Sequence, residues 1–234
     1  MRALPALITL LLTGCVTVDI GGEGVAQTQY VLGDAGPMPS RRATPVAGSL
    51  LIQGDTGDPL ADTLSIAYAR RAGERSVYQL ATWTDRPSRR IPQLLQRRLE
   101  ARGSFGAVAA LGQPLHADWM LALAIDDIHH DIASEPGHAQ LTVRATLFDR
   151  RIRALVALRS FSADVTVPEA KSAAAAAAMN RAVAQVLDAL VPWLEEAVDR
   201  AMRNASRAPN HPHLFLEREE EPLAASLSGR FPEE

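Results

Sequence analysis

The sequence predicts an α+β fold in which a mostly antiparallel sheet is covered on one face by two main helices, at about 86–102 and 168–204. Three patterns carry that expectation. Apolar side chains alternate with a period of two over 118–128, 139–148 and 154–167, which marks three consecutive strands of an antiparallel meander with one covered face. A 3.6-residue apolar period over 86–102 marks an amphipathic helix. Six successive alanines, 173–178, open a longer one, because alanine is the best helix former and its small side chain lets a helix lie close to a sheet.

The balance of residues suits this reading. The 234-residue chain is 47% hydrophobic and 22% charged, with a formal charge of -3, as for an ordinary globular protein. That charge gives no electrostatic basis for binding nucleic acid. One cysteine, Cys15, excludes an internal disulfide, so the fold must stand on its apolar core.

Along the chain, Tyr30-Val31-Leu32 is a first short strand candidate and Ser49 to Gln53 a second. The loop between Gly54 and Pro59 holds two aspartates and two glycines. It is rejected as a calcium site, which needs six to eight oxygens, and it lacks the Gly-Lys-Ser/Thr ending of a phosphate loop. Leu64 to Arg70 and Val77 to Thr84 alternate around Ala72-Gly73-Glu74-Arg75 and read as a hairpin.

In the first helix Pro87 and Pro92 fit the entry turn, Ile91, Leu94, Leu95 and Leu99 form the apolar stripe, and Gly103 ends it. Six arginines make this the most basic stretch of the chain. Arg98 and Arg102 suit the negative end of the helix dipole. Arg89, Arg90 and Arg97 are candidate contacts for an acidic partner or anionic lipid.

After a short strand at Phe105 to Ala110 and the meander, Thr166-Val167-Pro168-Glu169 has the spacing of a capping box. The second helix then continues its stripe through Met179, Val183, Leu187, Leu190, Leu194 and Val198, and Pro192 is expected to kink or break it. From 205 the apolar period is lost, and a polar, disordered tail is expected to 234.

Catalytic candidates cluster at one strand end: Asp126, Asp127, His129, His130, Asp131 and His138. On a strand, His129 and Asp131 share a face and His130 points away. With His138 across a hairpin they form a conceivable zinc set, yet the spacing of a fixed ligand motif is missing. No Gly-x-Ser-x-Gly elbow and no dinucleotide fingerprint is present. An enzyme is not expected.

The N-terminus has a different chemistry. Arg2, the apolar run Ala3 to Leu12, and Leu12-Thr13-Gly14-Cys15 resemble a signal peptide ending in the bacterial lipobox. The run falls short of the roughly 20 residues that span a bilayer. Residues 1–14 are then the signal peptide and Cys15 the lipidated residue. Covalent diacylglycerol and an N-acyl chain would be its only attached groups, with no cofactor. Residues 15–28 form a glycine-containing tether to a single domain over 29–204, and Val16, where an Asp would favour inner-membrane retention, points to the outer membrane.

Taken in order, the lipobox, Tyr30-Val31-Leu32, Asp62-Thr63-Leu64-Ser65-Ile66-Ala67-Tyr68, Ala81-Thr82-Trp83 with Pro87 and Leu94-Leu95, Ala117-Asp118, Leu147-Phe148-Asp149, Phe161-Ser162-Ala163, the alanine-rich helix and Trp193 resemble the ABC-type transport auxiliary lipoproteins (PqiC-like). The resemblance implies a small α+β, periplasm-facing lipoprotein that binds and does not catalyse. Its implied partners are an MCE-family substrate-binding protein and an inner-membrane transporter, together moving lipids or other hydrophobic molecules across the Gram-negative envelope, with copies able to assemble into a ring. The alternatives are a lipoprotein carrier holding a lipid between sheet and helix, and a metal hydrolase using His129, Asp131 and His138.

Overall fold

The computed structural model describes residues 26–55 and 57–207. The signal peptide, Cys15, most of the tether, and the tail from 208 lie outside the described residues. Eight strands and two helices follow one another: β1 (Thr28–Tyr30), β2 (Ala47–Asp55), a 3-10 turn (Pro59–Asp62), β3 (Ser65–Ala69), β4 (Ser76–Trp83), α1 (Pro87–Arg102), β5 (Phe105–Ala110), β6 (Trp119–Asp131), β7 (Gly137–Asp149), β8 (Ala154–Val167) and α2 (Ser172–Arg207).

All eight strands form one mixed sheet organised on β6. Along one side β6 pairs antiparallel with β7, from Trp119↔Asp149 to Asp131↔His138, and β8 continues the meander. The other side is shared: β2 runs parallel to its first half, from Leu50↔Trp119 to Asp55↔Ala124, and β3 parallel to its end at Tyr68↔His130. A bulge between Ile125 and Asp127 lies between the two, where the extra residue bends the strand. The α+β class and both helices are as predicted. The parallel pairs arise because α1 carries the chain back over the sheet, so that β5 enters parallel to β2.

The alternation of the meander places Leu121, Leu123, Ile125, Leu141, Val143, Leu147, Phe161 and Val165 on the helix-covered face, and α2 buries Ala175, Ala178, Met179, Ala182, Val183, Leu187, Leu190 and Leu194 against them. The alanines let the first turns of α2 approach the sheet closely, and larger side chains fill the space farther along. Nothing between sheet and α2 is left open for an acyl chain among these residues.

Two local expectations are corrected. The capping box does not form: Thr166 is still a β8 residue opposite His138, Glu169 pairs with Lys171 at 2.7 Å, and α2 begins only at Ser172. Strand pairing of Thr166 fixes its backbone in the ladder, which removes it as a helix cap. Nor does Pro192 break α2, which is continuous to Arg207. Pro192 lies on the exposed side of the helix, where the carbonyl it leaves without a donor can bond water, while Leu190, Val191 and Leu194 hold both flanks in the core.

Residues 31–46 cross α1 and α2 as a strap. Leu32 and Val46 are buried, and the backbone is tied by Gly33 N to Asn180 Oδ1 (2.8 Å), Arg42 N to the Arg102 carbonyl (2.7 Å) and Val46 N to the Ser104 carbonyl (2.8 Å).

Candidate functional site

An open cleft of about 980 Å³ lies at the carboxyl ends of β2 and β5. Its floor is Ile52 to Asp55 and Ile125, one wall is the loop 57–62, and the other is the first half of α1 with Ser88, Arg89, Pro92, Gln93 and Gln96. Gly57 must be glycine, since a Cβ there would come within 2.1 Å of the Ile125 carbonyl oxygen. That close approach lets Asp58 N donate to the same carbonyl at 2.7 Å and anchors the wall to β6.

The cleft lining is mixed: Ile52, Pro59, Leu111 and Ile125 alternate with aspartates, glutamines and Arg89. Asp58 Oδ1 accepts from Leu60 N at 2.9 Å and so caps the 3-10 turn. Asp62 Oδ1 accepts from Ser88 Oγ at 2.8 Å, and Arg86 approaches the other Asp62 oxygen at 3.5 Å. Pro92 has no N–H for the Ser88 carbonyl four residues before it. Aspartates, glutamines, one arginine and a free carbonyl suit a polar chain with amides and charges, such as a peptide segment. Among the described residues Ser88 has no histidine beside it to make it a nucleophile; its hydroxyl donates to Asp62.

The five arginines of α1 divide. Arg89 lines the cleft, and Arg97 is exposed on the same helix. Arg90 turns inward, donating from Nε to the Leu32 carbonyl at 2.9 Å and holding the strap. Arg98 is 6% exposed, gripped by Asp34 at 2.6 and 2.8 Å and by Asp188. Arg102 donates to Glu195 at 2.7 Å, joined there by Arg42 at 2.9 Å and Ser104 Oγ at 2.6 Å. Burial alone would raise the Glu195 carboxyl, but the hydrogen bonds from Arg102 and Ser104 and the two guanidinium charges outweigh it and hold it below its ordinary value. Arg98 and Arg102 therefore join α1, α2 and the strap, a role that sequence spacing alone could not reveal.

The histidine cluster does not converge. β6 runs through Asp131, so His129 and Asp131 face away from the helices and His130 faces them, as alternation requires. His129 Nδ1 bonds Asp127 Oδ1 at 2.9 Å, His138 Nδ1 bonds Asp164 Oδ1 at 2.5 Å, and Asp131 Oδ1 accepts from Ala133 N at 2.8 Å. Burial would raise Asp127, but His129 and Arg75 together keep it below its ordinary value. His130 is 1% exposed; its Nδ1 bonds the Tyr78 hydroxyl at 2.8 Å and its Nε2 has no partner. Burial pushes this imidazole below its ordinary value. Among the described residues no three His, Cys, Asp or Glu side chains are placed to hold one metal ion.

No helix among the described residues is long and apolar enough to cross a membrane. A search of curated proteins returns no match. Among solved structures, protein XCC0632 from Xanthomonas campestris aligns at a TM-score of 0.68 and 24% identity, over 75% of this chain and 99% of that one. An uncharacterized protein aligns at a TM-score of 0.56 and 15% identity, over 72% of this chain and 99% of its own. Both likenesses support the fold. The model of the ABC-type transport auxiliary lipoprotein component family matches residues 30–191, from the end of β1 to the middle of α2 and through both walls of the cleft, and the chain belongs to that family.

Proposed function

We propose that the protein is the lipid-anchored docking component of an MCE/ABC-type system that moves lipids or other hydrophobic molecules across the Gram-negative envelope. The carrying observation is the family match from the end of β1 to the middle of α2, which makes the protein a transport auxiliary lipoprotein; this is not an enzyme family. Cys15 carries the diacylglycerol and N-acyl chain, Val16 directs the product to the outer membrane, and the domain faces the periplasm within reach of its tether. An MCE-family protein and, through it, the inner-membrane transporter are the partners, and copies of the chain assemble around that partner.

The docking surface is the cleft side of α1. Arg89 in the cleft and exposed Arg97 present charge to an acidic or amide-rich segment of the partner, and Arg90 supports them by fixing the strap. The buried side chains packed between sheet and α2 give less support to a lipid carrier that holds its cargo there.

Purification of the protein with its native envelope complexes tests this reading. An MCE-family protein should co-purify, and Arg89→Glu with Arg97→Glu should reduce its recovery at least ten-fold without changing the thermal midpoint. Consistent absence of an MCE protein, under conditions that retain other envelope complexes, would sink the proposal.

A further inference from the structure

The turn between β7 and β8 lies at the end of the sheet opposite the entry of the chain. Arg150 N bonds the Asp118 carbonyl beside the start of β6, whereas β1 runs in from the far end, alongside β4 and level with the last residues of β6. At this tip Ile152 is 71% exposed, with Leu155 at 59% and Leu158 at 56%. Behind them, one register row across the sheet face away from the helices reads Leu51, Met120, Phe148, Leu155, and it opens from buried Leu51 to exposed Leu155.

Arginines surround these aliphatic groups. Arg151 is neutralised by Asp149 at 2.7 Å. Arg150 donates to the Ala117 carbonyl at 3.0 Å and Arg153 is exposed, whereas Arg159, opposite Ala145 and over the Phe161 ring, belongs to the helix-covered face. Neither Arg150 nor Arg153 is ion-paired among the described residues, so the tip stays locally cationic even with the nearby Asp118 carboxylate counted, on a chain of net negative charge. Arg153 also adopts φ 53°, a left-handed conformation that glycine takes more easily. A side chain kept there against that preference suggests that the side chain is used.

We infer that the β7–β8 tip is a membrane-contact site for a bilayer surface rich in anionic phospholipid. Ile152, Leu155 and Leu158 enter the interface, and Arg150 and Arg153 meet the phosphates. A convex hairpin end with projecting aliphatic chains and long cationic side chains matches a soft, anionic interface, where guanidinium groups reach the headgroups while their stems cover apolar area. It offers no concave pocket for a protein anchor. Each arginine near such a surface contributes about 1 kcal/mol, so two of them change the affinity about thirty-fold. The inference stands on these residues whether or not an MCE partner is recovered.

The test uses the full chain carrying Cys15→Ala, so that no acyl chain obscures the result, in co-sedimentation with phosphatidylglycerol-containing vesicles and with pure phosphatidylcholine vesicles. Binding should occur to the anionic vesicles, weaken with added salt, fall about thirty-fold in Arg150→Gln with Arg153→Gln, and fall several-fold in Ile152→Ser. Arg153→Gly, which suits the backbone, should keep or raise the thermal midpoint yet weaken binding about five-fold, a split that a purely structural role would not produce. Arg71→Gln at the β3–β4 turn should change nothing. Equal binding to neutral vesicles, no binding to anionic ones, or tip variants that bind like the parent would overturn the inference. So would concentration-dependent self-association that Leu155→Ser and Leu158→Ser abolish, because the patch would then face a second copy.

Discussion

At the scale of single residues, the informative groups are the buried charges that local sequence cannot pair. Arg98 meets Asp34 and Asp188, and Glu195 meets Arg42, Arg102 and Ser104, all brought together from distant parts of the chain. The spacing on α1 shows only that Arg98 and Arg102 lie near the helix end. Glu195 has a carboxyl held below its ordinary 4.5, so its ionisation stabilises the fold at neutral pH. That contribution is present above about 4.5 and is lost as pH falls through the lower folded-state value. His130 has an imidazole held below 6.5 by burial. Its contribution is full above 6.5 and declines as pH drops, because the unfolded histidine takes up a proton that the folded one resists. Thermal midpoints followed from pH 7.5 down to 3.5 should therefore fall in two stages. His130→Gln should flatten the first stage and Glu195→Gln the second. Glu195→Gln should also cost about 3 kcal/mol at neutral pH, as expected when one partner of a buried ionic group is removed. Curves parallel to the parent in both stages would remove these assignments.

At the scale of elements, the meander and α1 were legible because their periods are unambiguous. The alternation of Trp119, Leu121, Leu123 and Ile125 predicts the covered face of β6, and Ile91, Leu94, Leu95 and Leu99 predict that of α1. Strand ends were less legible, since His129, His130 and Asp131 break the apolar alternation but remain in the ladder with β7. The parallel neighbours of β6 were not legible at all: nothing local in β2 or β3 records that each takes half of one strand edge. The cleft suffered the same blindness, because its walls come from the 57–62 loop, α1 and β5. The long α2 shows tertiary packing overriding a local breaker. If Pro192 is tolerated only because its unpaired carbonyl faces water, then Pro192→Ala should restore the helix bond and stabilise the protein by about 1–3 kcal/mol, read as a raised midpoint in denaturant with an unchanged slope. A loss of stability would mean that the bend at Pro192 is needed to fit α2 to the sheet.

At the scale of the whole molecule, the elements give the domain two ends with different chemistry. The chain enters beside the last third of β6, and the arginine-flanked tip lies beyond its start, roughly 30 Å away at about 3.3 Å per residue. A tether of some 13 residues reaches roughly 40 Å when extended, so an anchor at Cys15 leaves the domain free to lie along the membrane or stand away from it. The tip then decides between these postures, and the cleft on α1 is turned accordingly toward or away from a periplasmic partner. This separates what the lipid does from what the fold does. A lipid on Cys15, as proposed, would set the compartment, since two acyl chains already make stable anchoring at about 0.8 kcal/mol per buried CH₂. The core is built from the described residues of the sheet, α1, α2 and the strap, which pack on one another. Cys15→Ala should therefore keep the thermal midpoint of the domain while releasing it from the outer-membrane fraction and abolishing acyl labelling. Retention in that fraction with unchanged labelling would show that Cys15 is not the lipidated residue. Retention with labelling abolished would mean that contacts of the folded domain itself, the tip first among them, hold the protein at the membrane.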